Sequence, residues 1–159
     1  MTITRRTRWG TAVLSLVALI GLATPARASV TATYGTLTAG APSVAACTGG
    51  TCMATSGVVA TNGTVSTVIT VTVKLYRTKA AGATTANPTT DYLVKTVTST
   101  YSSTKSLKQS FTLAASQKCL TVATSAYGYY TRATMTNGTV SGTVTENSAV
   151  KQLKGCLSV

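Results

Sequence analysis

The chain has 159 residues, of which 14 are Lys or Arg, 2 are Asp or Glu and none is His. The absence of histidine excludes a histidine-based catalytic triad, an imidazole general base and a histidine metal ligand. The two carboxylates, Asp91 and Glu146, are too few for a multi-carboxylate cation site. The length predicts a single domain. We predict no enzyme, no metal and no cofactor; the catalytic alternatives that remain are a Ser-Lys dyad of Ser103 and Lys105 and a glycosidase-like pair of Asp91 and Glu146.

Residues 1–28 have the three parts of a secretory signal peptide. A basic start with three arginines precedes a mostly apolar stretch, 11–23, and the small-x-small cleavage sequence 26–28 follows it. The apolar stretch is shorter than the ~20 residues that a membrane-spanning helix needs. We therefore predict cleavage after Ala28, which leaves residues 29–159 as one secreted domain.

The mature domain would have 131 residues with ten basic and two acidic side chains, so its net charge would be 10 − 2 = +8. It contains no second apolar stretch long enough to span a bilayer, so we expect an extracellular protein without a membrane span. The arginine-rich signal sequence is typical of a bacterial protein. A chain of this length can bury roughly two-thirds of its unfolded surface, which is enough for one core.

Thirty of the mature residues are threonine, a residue that favours strands over helices. Apolar and polar residues alternate within 65–79, where Ile69, Val71, Val73 and Leu75 share one parity. Alternation of this kind places the two sets on opposite faces of a strand. The pattern predicts strands over 30–38, 53–60, 64–78, 91–101, 107–114, 119–126, 128–136, 139–146 and 149–156.

Turn signals separate these predicted strands. The pairs Asn62-Gly63 and Asn137-Gly138 are strong hairpin signals, and both lie in the hexapeptide TNGTVS, which occurs at 61–66 and 136–141. Convergent turn chemistry and an internal duplication would both explain the repeat. Residues 80–90 are rich in Ala, Gly and Thr and predict an exposed loop or a linker between two halves of a sheet. The fold class predicted is all-β: an immunoglobulin-like or Greek-key β-sandwich of about eight or nine short antiparallel strands.

Four cysteines in a secreted chain predict two disulfides, for which three pairings are possible. We favour Cys47–Cys52, because Gly49 and Gly50 lie between the two thiols and allow a small ring, together with Cys119–Cys156. The alternative is a zinc site, but the spacing of the four thiols is poor for one. The domain is therefore predicted to be disulfide-stabilised.

The strongest candidate interaction site is the cluster Tyr127, Tyr129, Tyr130 and Arg132. Tyrosine and arginine are enriched at interface hot spots, because they bury a large area and keep a polar group. In an extended chain Tyr127 and Tyr129 share one face, whereas Tyr130 and Arg132 share the other, and Gly128 would permit a bend. The alternative is that one face packs in the core, since a chain with a single Phe needs tyrosines there.

A second candidate is the basic strand end that includes Lys74 and Tyr76. These two side chains would face solvent together and could bind an acidic surface or an anionic polymer. The alternative is an ordinary solvated surface, because the basic residues are spread along the chain. Nucleic acid is not favoured as a partner for the same reason.

Two short segments resemble secreted bacterial families. The segment Cys47-Thr48-Gly49-Gly50-Thr51-Cys52 resembles the short C-x4-C loop of the neocarzinostatin-type chromophore carriers, which implies an immunoglobulin-like sandwich that carries a small molecule. Cys156-Leu157 is similar to the end of the tendamistat-type α-amylase inhibitors, which implies an inhibitor of an extracellular enzyme. The inhibitors present a Trp-Arg-Tyr triplet, and the mature chain has no Trp, so no functional residue is carried over.

The function predicted from sequence is therefore binding. We expect a secreted, non-enzymatic module that binds a protein partner, as an adaptor subunit of an exported complex or as an inhibitor of an extracellular enzyme. The alternative is a carrier or binder of a small molecule or of an anionic cell-wall polymer.

Overall fold

The structure is a computed structural model that describes residues 28–32, 34–48, 50–61, 67–103, 110–119, 125–137 and 143–154. The predicted signal peptide, apart from its last residue, lies outside this range. Within the described residues there are ten strands: β1 (Ala28–Ala32), β2 (Gly35–Ala39), β3 (Ser43–Cys47), β4 (Gly50–Thr61), β5 (Thr67–Ala81), β6 (Tyr92–Ser103), β7 (Ser110–Lys118), β8 (Tyr127–Asn137), β9 (Thr143–Asn147) and β10 (Lys151–Leu153).

The strands form two antiparallel sheets that pack face to face, as the all-β prediction requires. In the first sheet, β1 pairs with β2, β2 and β3 both pair with β4, and β7 pairs with the opposite edge of β4. In the second sheet, β6 pairs with β5 and β5 pairs with β8, whereas β9 and β10 both pair with the far edge of β8. Each sheet is thus effectively four strands wide. One strand position in each is divided in two: the position beside β4 that β2 and β3 share in the first sheet, and the outer position that β9 and β10 share in the second.

In each sheet, two short strands share one edge of a longer strand. β2 and β3 run along one edge of β4, separated by residues 40–42, where Pro42 cannot donate a ladder hydrogen bond. β9 and β10 run along one edge of β8 and are separated by residues 148–150. The prediction of a single strand at 30–38 was wrong, because a turn at Tyr34 divides it, and β3 was not predicted at all.

The predicted hairpin at Asn62-Gly63 was also wrong. β4 and β5 lie in different sheets, so the segment between them connects the sheets instead of closing a hairpin. The strands on either side of Asn137-Gly138 do pair as the hairpin prediction requires, because β8 and β9 are antiparallel neighbours in the second sheet. Residues 62–66 and 138–142 themselves lie outside the described residues.

The core between the sheets follows the predicted alternation. Ile69, Val71, Val73 and Leu75 of β5 are all at most 1 % exposed. One cluster occupies most of the interface, and a second, formed by Met53, Leu75, Tyr129 and Leu153, closes one end. This packing fixes which face of each strand is outside.

A buried polar cluster joins the two sheets where their strands are interrupted. The hydroxyls of Thr55 and Thr131 both donate to the Gly40 carbonyl, the former at 2.8 Å. The Thr131 N–H donates to the Ser148 hydroxyl, and the Ser148 N–H donates to the Thr131 carbonyl, each at 2.9 Å. The cluster satisfies backbone groups that the broken ladders would leave without partners.

The predicted disulfide Cys47–Cys52 is confirmed and closes the tip of the β3–β4 hairpin, with Cα atoms 5.7 Å apart. Cys119 is also disulfide-bonded, but its predicted partner, Cys156, lies outside the described residues. The described residues contain no helix that is long and apolar enough to cross a membrane.

Candidate functional site

The two predicted interaction segments are neighbours in the second sheet. β5 and β8 pair in antiparallel register, which places Lys74 opposite Arg132 and Tyr76 opposite Tyr130. All four residues lie on the outer face, because they alternate with the buried positions of β5 and β8. Nothing in the sequence connects these segments, which are more than 50 positions apart. The pairing of β5 with β8 therefore joins the two separately predicted segments into one surface.

The two tyrosines of this face are stacked and buried. The rings of Tyr76 and Tyr130 lie 5.3 Å apart at an interplanar angle of 6°, and the exposed fractions are 7 % and 0 %. The Tyr130 hydroxyl donates to the Asp91 carboxylate at 3.0 Å, at the end of the 82–91 loop that joins β5 to β6. The loop therefore covers the outer face at this end, and Tyr130 is not accessible to a partner.

Asp91 holds this loop in place, a role that the sequence did not reveal. One carboxylate oxygen accepts the Lys79 N–H at 3.0 Å, and the other accepts the Asn87 N–H at 2.8 Å as well as the Tyr130 hydroxyl. The Asn87 carbonyl in turn accepts the N–H of Thr90 at 3.1 Å and that of Asp91 at 2.9 Å. The carboxylate thus supports both the turn and the buried tyrosine, which explains why one of the two acids of the chain occurs here.

Burial raises the pKa of Tyr130 above its usual value of 10.0, and the hydrogen bond to Asp91 adds to the effect. The folded protein therefore keeps the proton at a pH where the unfolded chain loses it. Stability should be full below about pH 10 and fall above it, by up to about 1.4 kcal/mol per pH unit for this residue.

Tyr130→Phe should accordingly lower the free energy of unfolding by about 1 kcal/mol at neutral pH but reduce its decline at alkaline pH. Urea unfolding at about pH 9 and about pH 11 would measure both effects. Burial also raises the pKa of Tyr34, so part of the decline should persist in the variant. An unchanged alkaline slope would contradict the assignment to Tyr130.

Lys74 and Arg132 form the accessible part of the site, directly beyond the covered tyrosines. Like charges directly opposite each other on adjacent strands destabilise a sheet. Neither cation has an ion-pair partner among the residues that the structure describes. On the far side of Arg132, Asn147 of β9 is its cross-strand neighbour, and the Asn147 Oδ1 atom is buried without a hydrogen-bond partner in the described part of the chain. The row therefore presents two cations that have no ion-pair partner among the described residues, and a buried acceptor lies beside them.

An exposed leucine adjoins the site. Leu93 of β6 is opposite Tyr76 and therefore lies on the same outer face, where it is 51 % exposed. Large apolar side chains with this exposure are few among the described residues: Val44, Val68, Tyr92 and Leu93. Leu93 was not predicted, because its parity on β6 depends on the bulge opposite Leu75 and Tyr76.

A second cation–aromatic cluster lies at the end of the sandwich. The Arg77 guanidinium carbon is 4.7 Å from the ring centroid of Tyr92 and 5.0 Å from that of Tyr127. Tyr92 is 48 % exposed, whereas Tyr127 is half-buried against the end cluster of the core. Tyr127 is thus the only residue of the predicted tyrosine triplet with an accessible side chain, because Tyr129 is fully buried in the core.

A shallow depression lies on the outer face of the first sheet, beside the interruption between β2 and β3. Its volume is about 220 Å³, and it is lined by Thr38, Gly40, Ala41, Ser43, Ser56, Val58 and Lys151. Pockets for drug-sized ligands have roughly 300–1,000 Å³ and are mostly apolar. Within the described residues, no group of three or more Cys, Asp or Glu is placed to hold a metal ion.

Comparison with known proteins gives no relative: no family model, no curated protein and no solved structure matches the chain.

Proposed function

We propose that this chain is a secreted, non-enzymatic binding module that recognises an acidic segment of an extracellular protein. The observation that carries the proposal is the register of β5 and β8, which places the uncompensated Lys74 and Arg132 side by side. A carboxylate-bearing segment would relieve their mutual repulsion and form charge-assisted hydrogen bonds. Leu93 supplies an adjoining apolar contact, as protein interfaces require.

The partner chemistry fits both predicted roles, an adaptor subunit of an exported complex and an inhibitor of an extracellular enzyme. The proposal also includes secretion after cleavage at Ala28 and an immunoglobulin-like connection of the two sheets. Arg77, stacked between Tyr92 and Tyr127, would add a hot-spot residue at the sandwich end.

A second candidate function is binding of an anionic cell-wall polymer. It is favoured by the exposed lysines on other parts of the molecule, which include Lys79, Lys95, Lys118, Lys151 and Lys154. A polymer would contact many such cations at once, and its binding would depend strongly on salt. A small-molecule carrier is less favoured, because the depression described above, at about 220 Å³, is smaller than the pockets that hold drug-sized ligands.

The test is a capture experiment with two charge-matched variants. The full chain, tagged and expressed with its own signal sequence, would be used to capture partners from the culture supernatant of the producing cell. Lys74→Ser/Arg132→Ser removes the proposed site, and Lys118→Ser/Lys154→Ser removes the same charge elsewhere. For an acidic protein partner, we expect Lys74→Ser/Arg132→Ser to raise the Kd by about tenfold to a hundredfold.

The control variant should bind as the wild type does, and the complex should survive about 0.5 M salt. Equal weakening by both variants, together with loss of binding in salt, would replace the protein partner with an anionic polymer. No captured protein and no polymer binding would refute the proposal.

A further inference from the structure

The outer face of the second sheet carries a two-dimensional array of threonines beyond the cation row. Eight threonines occupy two complete rows that cross four strands in register. The first row is Thr98–Thr72–Thr134–Thr145 and the second is Thr100–Thr70–Thr136–Thr143.

The array has regular spacing in both directions. Neighbouring strands lie about 4.7–4.9 Å apart, and alternate residues along a strand lie about 6.6–6.8 Å apart. Three of the cross-strand pairs are linked through their hydroxyls: Thr70 with Thr100 at 3.3 Å, Thr72 with Thr98 at 3.0 Å, and Thr134 with Thr145 at 3.2 Å. These bonds restrict χ1, so the hydroxyls and methyls are held in a repeating arrangement.

Strand propensity alone does not account for the array. The outer face of the first sheet is subject to the same preference for β-formers, but its rows are mixed. One reads Ser29–Thr38–Val58–Thr112 and the other reads Thr31–Thr36–Ala60–Ser110. Among the described strands, an unbroken threonine lattice thus occurs on the outer face of the second sheet and not on that of the first.

We propose that this array, the threonine face, binds the surface of ice. A neutral lattice of hydroxyls can donate to and accept from a layer of water at fixed positions. The methyl groups between them restrict the orientation of first-shell water, which favours an ordered layer. The spacings of ordinary strands are of the same size as the repeat distances of water molecules on a prism face of ice. The two rows contain no charged side chain that would disturb the layer.

Sheet twist determines which threonines matter most. Adjacent strands are rotated by about 20–25° relative to each other, so a flat crystal face cannot contact all four strands equally. The central strands β5 and β8 are rotated least from the mean plane. Thr70, Thr72, Thr134 and Thr136 should therefore contribute most, and Thr143 on β9 less.

The test is the growth of ice grains in a frozen film of the purified, disulfide-bonded protein. The wild type should keep the grains small, whereas Thr72→Tyr and Thr134→Tyr should lose this effect, because a large side chain holds the crystal away from the lattice. Tyrosine is a good strand former, so both variants should fold, which circular dichroism and the unfolding midpoint would verify. Thr112→Tyr, an exposed position on the first sheet, is the matched control and should retain full activity.

The inference is independent of the proposed function. Lys74→Ser/Arg132→Ser should lose the protein partner and keep the effect on ice. Grain growth in the wild type equal to that with buffer would overturn the proposal, and so would full activity of folded Thr72→Tyr and Thr134→Tyr.

Discussion

Tyr129→Ala is expected to lower the free energy of unfolding by about 3–5 kcal/mol, the range for removing a large buried aromatic side chain. The Tyr129 ring is fully buried and packs with Met53, Leu75 and Leu153 at one end of the core. Its removal would leave a cavity between the sheets that strands held in two ladders cannot collapse to fill. Since small domains have about 5–15 kcal/mol of stability in total, the loss would be a large share.

Urea unfolding of the disulfide-bonded protein would measure this loss, with Tyr92→Ala as the matched control. Tyr92 is on an edge strand and is 48 % exposed, so its truncation should cost much less. If Tyr129→Ala were no more destabilised than Tyr92→Ala, Tyr129 would not belong to the core, and its place in a binding surface would have to be reconsidered.

The contrast between Tyr129 and Tyr130 shows what periodicity can and cannot predict. The alternation along β8 correctly separated Tyr129 from Tyr130 by face, because side chains of a strand point alternately to opposite sides. It could not predict that both would be buried. Tyr130 lies on the outer face and is covered by the 82–91 loop through Asp91, a contact between residues 39 positions apart. Composition marks that loop as exposed, but it does not show the surface over which the loop folds.

The site itself depends on strand order, which is not a local property. Lys74 and Arg132 could each be selected from the sequence as exposed cations, but their pairing requires β5 and β8 to be neighbours in register. The same limitation applies to the threonine face, since its rows combine four strands from separate parts of the chain. Asn62-Gly63 failed as a hairpin signal for a related reason. Turn chemistry describes how the chain reverses, whereas the sheet that the next strand joins is decided by long-range packing.

The sequence drew attention to Gly128, but the structure shows a different reason for a glycine at this position. The sequence suggested a bend, but Gly128 lies inside β8, pairs with Gln152, and is not among the glycines with positive φ, which in the described residues are Gly50 and Gly82. A glycine is needed here because neighbouring atoms leave no space for a Cβ. A Cβ at this position would lie 2.6 Å from the Ala83 carbonyl oxygen and 2.5 Å from a methyl group of Val150. The 82–91 loop and the residues before β10 therefore approach the strand so closely that a side chain here would require them to shift.

Gly128→Ala is accordingly expected to lower the free energy of unfolding by about 1–3 kcal/mol, the usual cost of overpacking. A side-chain methyl can rotate away, but the Ala83 carbonyl is backbone and can move only with the loop. That movement would also strain the bond from the Gly128 N–H to the Thr78 hydroxyl, which is 3.1 Å long. Urea unfolding would measure the loss, with Ser125→Ala, an exposed position just before β8, as the control.

Gly57→Ala provides a second comparison for this prediction. At Gly57 the nearest atoms to an added Cβ are side-chain carbons, of Val73 at 2.8 Å and of Ala133 at 3.3 Å, so part of the crowding can be relieved by a rotamer change. We therefore expect Gly128→Ala to be the more destabilised of the two variants. It should also be the one in which the loop moves, and the Tyr130 side chain beneath the loop should become accessible to solvent. A Gly128→Ala protein with wild-type stability and a buried Tyr130 would show that the loop is not anchored as closely to β8 as these contacts indicate.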